Sequence, residues 1–494
     1  MLPDQNLPVI IVHYHLRPGG VTQVILNQIK ALQAMERPYL VLTGEQYQGG
    51  SGINQEVIPN LNYLQDLSSE PREIAESLFS DCIEAVTTRF GLKEVLWHFH
   101  NPTLGKNVAY PKLIELLAQT QERLLLQCHD FAEDGRPKNY QLNLGSPKLY
   151  PMAPNIHYAL VNSRDRTALQ AAGVHPEKLH LLQNAISDSD HNHQPSPHLP
   201  PLVIYPVRGI RRKNIGELLL WSALAPEGTT FALTSAPKNP EWLPIYNIWQ
   251  EFAQDLDLPV IMDCVGNINA PRKGSSSFKD WVGAASHCIT TSISEGFGLT
   301  FLESLAQDIP LIGRDLPDIT QALELQNTPN TSLYTKILVG IEELDQEELK
   351  SAFLTGYAQY NSAYGHPLSS NEIEEEWNKL IANGNIDFGN LPEHLQIFLI
   401  IKAKIDDFRG FQLLLNDGAT MNASDWINQA VAPNYSPVIT SNLLGNHQPQ
   451  EYQQNYQEII KKLSKSVTTP PAWLGPENLL EQYLRPERFN FLMT

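Results

Sequence analysis

The stretch Thr291–Ala306 reads T-S-I-S-E-G-F-G-L-T-F-L-E-S-L-A and sets two carboxylates, Glu295 and Glu303, eight positions apart around a Gly-x-Gly turn. Upstream, H-C-I-T-T-S-I has the apolar, β-branched character of a short buried strand, and downstream T-F-L-E-S-L-A opens a helix. A strand-turn-helix corner of this kind aims free backbone N–H groups and the positive helix end at one spot, which suits a phosphate. With Glu295 in the turn and Glu303 one helical turn in, both can flank one bound nucleotide. Two blander readings fit as well: Thr300 and Glu303 form a T-x-x-E capping box, and the glycines serve only the tight turn.

Working outward, short apolar runs alternate with helical patterns. P-V-I-I-V ends near Val12 and runs through H-Y-H-L-R-P-G-G into a helix from Val21, and strands follow at Tyr39–Thr43, Val95–Phe99, Arg123–Cys128 and His157–Val161. Such alternation predicts a parallel sheet covered on both faces. Residues 187–201 are rich in proline and polar side chains and break all periodicity, so they read as a linker. L-V-I-Y-P-V, F-A-L-T, V-I-M-D-C-V, H-C-I-T-T and I-P-L-I-G then form a second alternating half. The expected organisation is a Rossmann-like domain at 1–186, the linker, a second Rossmann-like domain at 202–340, and a helical tail at 341–494 partly crossing back to the first. In that tail, Ser369–Glu372 reads as a capping box.

A chain of 494 residues exceeds one core and calls for two or three domains. No apolar run approaches the roughly 20 residues of a membrane helix, and the first residues lack a signal peptide's basic and apolar regions. A formal net charge of −19 argues against nucleic acid and anionic membranes as partners. Cys82, Cys128, Cys264 and Cys288 show no C-x-x-C spacing and read as reduced cysteines in a cytoplasmic protein. The oligomeric state is not legible.

E-G-F-G-L-T-F-L-E resembles the E-x7-E motif of retaining glycosyltransferases of the GT-B fold, specifically glycosyltransferase family 4. The resemblance covers roughly residues 8 to 325. It implies two Rossmann-like domains facing a cleft, with nucleotide-sugar on the second domain and acceptor on the first. By position, Glu295 lies by the donor sugar, Glu303 takes the ribose hydroxyls, and the Gly298, Leu299 and Thr300 backbone holds the diphosphate. In P-V-R-G-I-R-R-K-N, Arg208 and Lys213 match the family's R-x4-K clamp, where a guanidinium fork and an ammonium neutralise the leaving nucleotide in place of a metal. Arg211 and Arg212 add charge, facing either acceptor or solvent.

R-P-G-G-V-T resembles the family's first glycine loop, which makes Gly20 a candidate nucleotide-sugar contact; the alternative is a glycine turn with no ligand. C-H-D-F-A-E-D-G-R-P resembles the loop whose histidine touches the donor sugar, here His129. Asp130, Glu133 and Asp134 are then candidates for acceptor hydroxyls and Arg136 for an anionic acceptor group; a merely capped loop remains the alternative. Ser163 in V-N-S is read as a helix cap and Asn184 as architectural. The D-x-D strings at Asp188–Asp190 and Asp255–Asp257 read as chance, and His191, His193 and His198 as a solvated linker, so no metal and no cofactor are expected.

The implied enzyme is a metal-independent retaining hexosyltransferase. It takes a UDP-, GDP- or ADP-hexose and a soluble, small polar acceptor. A glycoside phosphorylase and a non-catalytic sugar-nucleotide sensor are the rivals. Two departures stand out: the family's G-x-L-V-x-P segment is missing after Ala322, and the tail has no family counterpart.

Overall fold

In the computed structural model the described residues are 7–50, 52–65, 71–143, 148–185, 200–266, 277–321, 323, 331–432 and 447–493, and the side chains of Leu299 and Thr300 fall outside the description. The expected linker at 187–201 therefore lies almost wholly outside it. The chain divides into unit 1 (residues 1–187, 363–365 and 445–488) and unit 2 (residues 188–362, 366–444 and 489–494).

In unit 1 the apolar runs become β1 (Val9–Val12), β2 (Tyr39–Thr43), β3 (Gln55–Val57), β4 (Leu96–His100), β5 (Arg123–Cys128), β6 (Tyr150–Met152), β7 (Ile156–Leu160) and β8 (Leu179–Leu181). Seven of them form a parallel sheet in the order β3-β2-β1-β4-β5-β7-β8. Successive residues of a strand face opposite ways, and β1 shows the consequence. Val9 and Ile11 enter one core, Ile10 and Val12 the other. Both faces are apolar because helices cover both.

Unit 2 repeats the pattern with β9 (Leu202–Arg208), β10 (Thr230–Ser235), β11 (Val260–Ile261), β12 (His287–Thr290), β13 (Leu311–Arg314) and β14 (Thr331–Gly340), in the parallel order β11-β10-β9-β12-β13-β14. In each sheet the strand order reverses beside the first strand, β1 or β9. The crevice beyond the carboxyl ends at such a reversal is where open α/β sheets bind ligands.

Residues 341–494, read from sequence as a helical tail, include four strands. β15 (Asn385–Asp387) and β16 (Gln412–Leu415) pair antiparallel with β14, and β17 (Thr420–Asn422) pairs with β16, so the unit 2 sheet grows by three strands. Each has only three or four residues, too few for a readable period. β18 (Ala472–Leu474) pairs with β6 in unit 1. The helix Pro449–Ser464 sends Tyr452, Tyr456, Ile459, Ile460 and Leu463 into the core that holds Val9 and Ile11, while Leu474, Leu479 and Tyr483 join the other. The C-terminal segment thus completes both faces of unit 1. Ser369 does form the expected capping box with Glu372.

Candidate active site

Unit 2 gathers its candidates after β9 and β12, the two strands that flank the reversal. β9 ends at Arg208, which is exposed and whose guanidinium makes no hydrogen bond or ion pair with another described residue. A tight loop follows, and a Cβ on Gly209 would run into the Tyr246 ring at 2.6 Å. After the 3-10 turn Arg211–Lys213, Asn214 takes the left-handed conformation (φ 50°) and starts the helix Ile215–Leu224. That turn drives Lys213 inward. Its ammonium pairs with the Glu295 carboxylate, and both side chains are buried.

Two hydroxyls extend this pair. Ser292 Oγ donates to Glu295 Oε1 (2.6 Å) and in turn meets Tyr205 Oη at 2.6 Å. Tyr205 and Thr291 also hydrogen-bond the Lys213 carbonyl (3.2 and 2.9 Å), so the two loops are tied through side chain and backbone alike. Burial works to raise the Glu295 carboxyl, but Lys213 and Arg212 outweigh it and hold the group below its ordinary range, ionised. Burial holds Lys213 below its own ordinary value, with Glu295 opposing.

Gly298 is the N-cap of the helix Leu299–Ala306 at φ 79°, where a Cβ would come within 2.8–2.9 Å of Phe301 and Ile319. Only glycine fits there. With the cap at Gly298, Thr300 lies within the helix and not at its N-cap position. Glu303 is therefore not engaged as a capping residue. It is half-buried, its carboxylate meets no hydrogen-bond partner among the described residues, and burial raises its carboxyl. The Leu299 and Thr300 N–H groups open the helix without intrahelical partners.

Unit 1 places His129 at the end of β5, with the His129 and Asp130 N–H groups donating to Asn101 Oδ1 (2.7 and 3.2 Å). His129 is buried, and burial pushes its imidazole down to about 4. The residues after it are more occupied than their spacing suggests. Arg136 pairs with Asp130 (2.6 Å) and donates to the carbonyls of Phe131 and Asp134. Asp134 pairs with Arg164 (2.9 Å). Glu133 is fully buried, accepts from Tyr150 Oη (2.9 Å), and burial pushes it up to about 7.

Gly20 is exposed at the start of the helix Gly20–Ala34, after an extended Gly19. The cap of the helix Ser163–Ala172 is Asn162, which accepts from the Asp165 N–H (2.7 Å), and not Ser163. Asn184 is buried. Asp255 ends a helix, Asp257 turns left-handed, and the linker aspartates and histidines lie outside the described residues. Sequence reasoning missed His13, His98 and His100, which surround His129. The signal was present: His98 and His100 stand two apart in an otherwise apolar strand and therefore share a face.

The chain matches no family model. It is 25% identical over 458 residues to a mannosylglucosyl-3-phosphoglycerate synthase from Petrotoga mobilis, covering 85% of this chain and 86% of that protein. Among solved structures it resembles the apo form of the lipopolysaccharide outer core galactosyltransferase WaaB (TM-score 0.53, 11% identity, 92% and 98% of the two chains). It also resembles a glycosyltransferase from Rickettsia africae (TM-score 0.51, 13% identity, 94% and 100%). The fold is GT-B. The chain is an enzyme, a glycosyltransferase. No described helix is long and apolar enough to cross a membrane.

Proposed function

We propose that this enzyme is a retaining, metal-independent hexosyltransferase of the family 4 kind, whose acceptor is a small glycoside of a phosphorylated hydroxy acid. The donor's diphosphate lies against Arg208, Lys213 and the amides of Gly298–Thr300; Glu303 holds the ribose; Glu295 lies by the hexose, with His129 as a second sugar contact. The observation that carries this reading is the buried Lys213–Glu295 pair, which joins the loops after β9 and β12 at the strand-order reversal, with Arg208 exposed at the end of β9. In the reaction the bond from C1 to the leaving phosphate oxygen breaks. The acceptor oxygen bonds C1 on the same face, and its proton passes to that phosphate. Cations already in place stabilise the charge as it grows.

The acceptor class rests on the relative from Petrotoga, whose name contains a phosphoglycerate bearing sugars. Four buried thiols with no disulfide fit a reducing, cytoplasmic setting. The test is a thermal-shift screen with UDP-, GDP- and ADP-hexoses, since a ligand of the folded state raises the melting point. It is followed by product analysis with glucosylglycerate and glucosyl-3-phosphoglycerate as acceptors. We expect one nucleotide to stabilise, and transfer only to the phosphorylated acceptor. Sugar phosphate formed from inorganic phosphate with no nucleotide would instead make the protein a phosphorylase.

A further inference from the structure

Behind His129 runs an unbroken line of buried hydrogen bonds. Tyr456 Oη meets His98 Nδ1 (2.7 Å), and His98 Nε2 meets Gln127 Oε1 (3.0 Å). The same Gln127 oxygen receives Gln28 Nε2 (2.8 Å), Gln28 Oε1 meets His100 Nε2 (2.9 Å), and His100 Nδ1 meets His129 Nε2 (2.9 Å). Tyr456, His98, Gln127, Gln28 and His100 are each 0% exposed, so water cannot supply a missing partner.

Tyr456 gives the line its direction. Its phenol carries a proton that must be donated, and His98 Nδ1 is its hydrogen-bond partner among the described residues. His98 Nδ1 is then the acceptor, and in a neutral imidazole the proton sits on Nε2. His98 Nε2–H donates to Gln127 Oε1, so that oxygen faces the line and Gln28 must donate to it. Gln28 therefore turns its own oxygen to His100, whose proton is on Nε2. His100 Nδ1 is left as an acceptor, and only an Nε2–H on His129 can satisfy it. The imidazoles stay neutral because burial disfavours their charged forms.

We propose that Tyr456, in the C-terminal segment, sets through His98, Gln127, Gln28 and His100 the tautomer of His129, which holds its proton on Nε2 and offers the Nδ1 lone pair to a hydroxyl of the sugar substrate. Nδ1 has no partner among the described residues. The five upstream groups are positioning residues. The inference rests on the proposed sugar contact of His129 for its purpose, though not for its geometry. It also gives the C-terminal segment, which completes unit 1, a part in the site.

The experiment is two-bond proton–nitrogen NMR on the full enzyme labelled with 15N-histidine, alongside donor kinetics. In the wild type, His129 should show a protonated Nε2 and a bare Nδ1 at neutral pH. Gln28→Leu removes the acceptor for His100, which frees the tautomer. His129 should then populate the Nδ1–H form, and kcat/KM for the donor should fall about tenfold, the loss of one hydrogen bond. Gln28→Glu, protonated in its buried setting, can still accept from His100 and donate to Gln127, and should restore both readouts. A wild-type His129 carrying its proton on Nδ1, or as imidazolium, overturns the inference, and that measurement stands even where Gln28→Leu does not fold. If the tautomer shifts as expected while donor kinetics do not move, the sugar contact fails and the relay of tautomers remains.

Discussion

The two ligand-facing edges are built from the same topology and opposite electrostatics. After β9 and β12, unit 2 buries an ion pair, Lys213 with Glu295, with Arg212 acting on it and Arg208 exposed at the end of β9. Along β4 and just after β1 and β5, unit 1 buries His98, His100, His13 and His129, and burial keeps them uncharged, with His13 and His98 pushed down to about 3. The first edge carries the cations that the proposed binding of a diphosphate calls for. The other is a field of oriented neutral donors and acceptors, which suits sugar hydroxyls. Fold similarity alone does not distinguish these edges; the side chains at the strand ends do.

The contrast breaks first under acid. A buried imidazole with a depressed value adds stability above its ordinary 6.5, and that stability is lost as pH falls from 6.5 toward its folded value. At pH 5 the unfolded chain would protonate these four histidines and also His157 and His180, buried in unit 1 and pushed down to about 3 and about 4, each costing roughly 2 kcal/mol, together comparable with the roughly 5–15 kcal/mol that stabilises a typical domain. Glu133, pushed up to about 7, has the opposite sign and regains stability as pH falls toward 4.5, offsetting about one of these histidines. Unit 2 holds a single histidine of this kind, His287, pushed down to about 4. Hydrogen exchange between pH 7 and 5 should therefore release β4 and β5 before β9 and β12. Equal loss in both units would show that the two edges are not electrostatically distinct.

Next in size is the clamp. Arg208→Ala should lower turnover about 100-fold or more, the loss of one preorganised charge stabiliser, with the melting point unchanged because the side chain is exposed. Lys213→Ala should match it in rate but lose stability too. Lys213 is buried, and its removal strands the Glu295 carboxylate. Near-normal turnover in Arg208→Ala would remove the diphosphate assignment.

How far the sequence reached is visible residue by residue. Tyr39–Thr43 and Arg123–Cys128 appear as strands with the bounds their apolar runs suggest, because a buried parallel strand is apolar throughout. β15 to β18 were hidden by their shortness. The link between R-x4-K and E-x7-E, read separately on the chain, is made by Ser292 and Tyr205, whose hydroxyls mark nothing in sequence. Helix caps were misjudged by one or two residues at Asn162 and Gly298, since a cap depends on one backbone angle that neighbours set.

Glu303 sharpens the comparison from inside unit 2. Glu303→Gln should weaken nucleotide affinity by roughly 1.5–3 kcal/mol, the range for hydrogen bonds to charged groups. Stability should hold, since Gly298 caps the helix and Glu303 does not. A 2′,3′-dideoxy nucleotide should show the same loss on the wild type and little further loss on the variant, because both changes remove one interaction. Lower stability with unchanged affinity would return Glu303 to a structural role.

The smallest expected effect is none, and it bears on the same edge. If Arg208, Lys213 and the helix amides neutralise the leaving diphosphate, a divalent cation there has no charge left to balance, and turnover should persist in excess EDTA. The described residues offer no group of three His, Cys, Asp or Glu side chains arranged to hold a metal, and of the two D-x-D strings the described one has Asp255 on a helix and Asp257 beyond its end. The other string, Asp188 and Asp190, and His191, His193 and His198 lie outside the described residues, which keeps the experiment decisive. Activity lost to EDTA and restored by magnesium or manganese would move the diphosphate from the cations of unit 2 to a metal. The electrostatic contrast between the two edges would then rest on the ion rather than on Arg208.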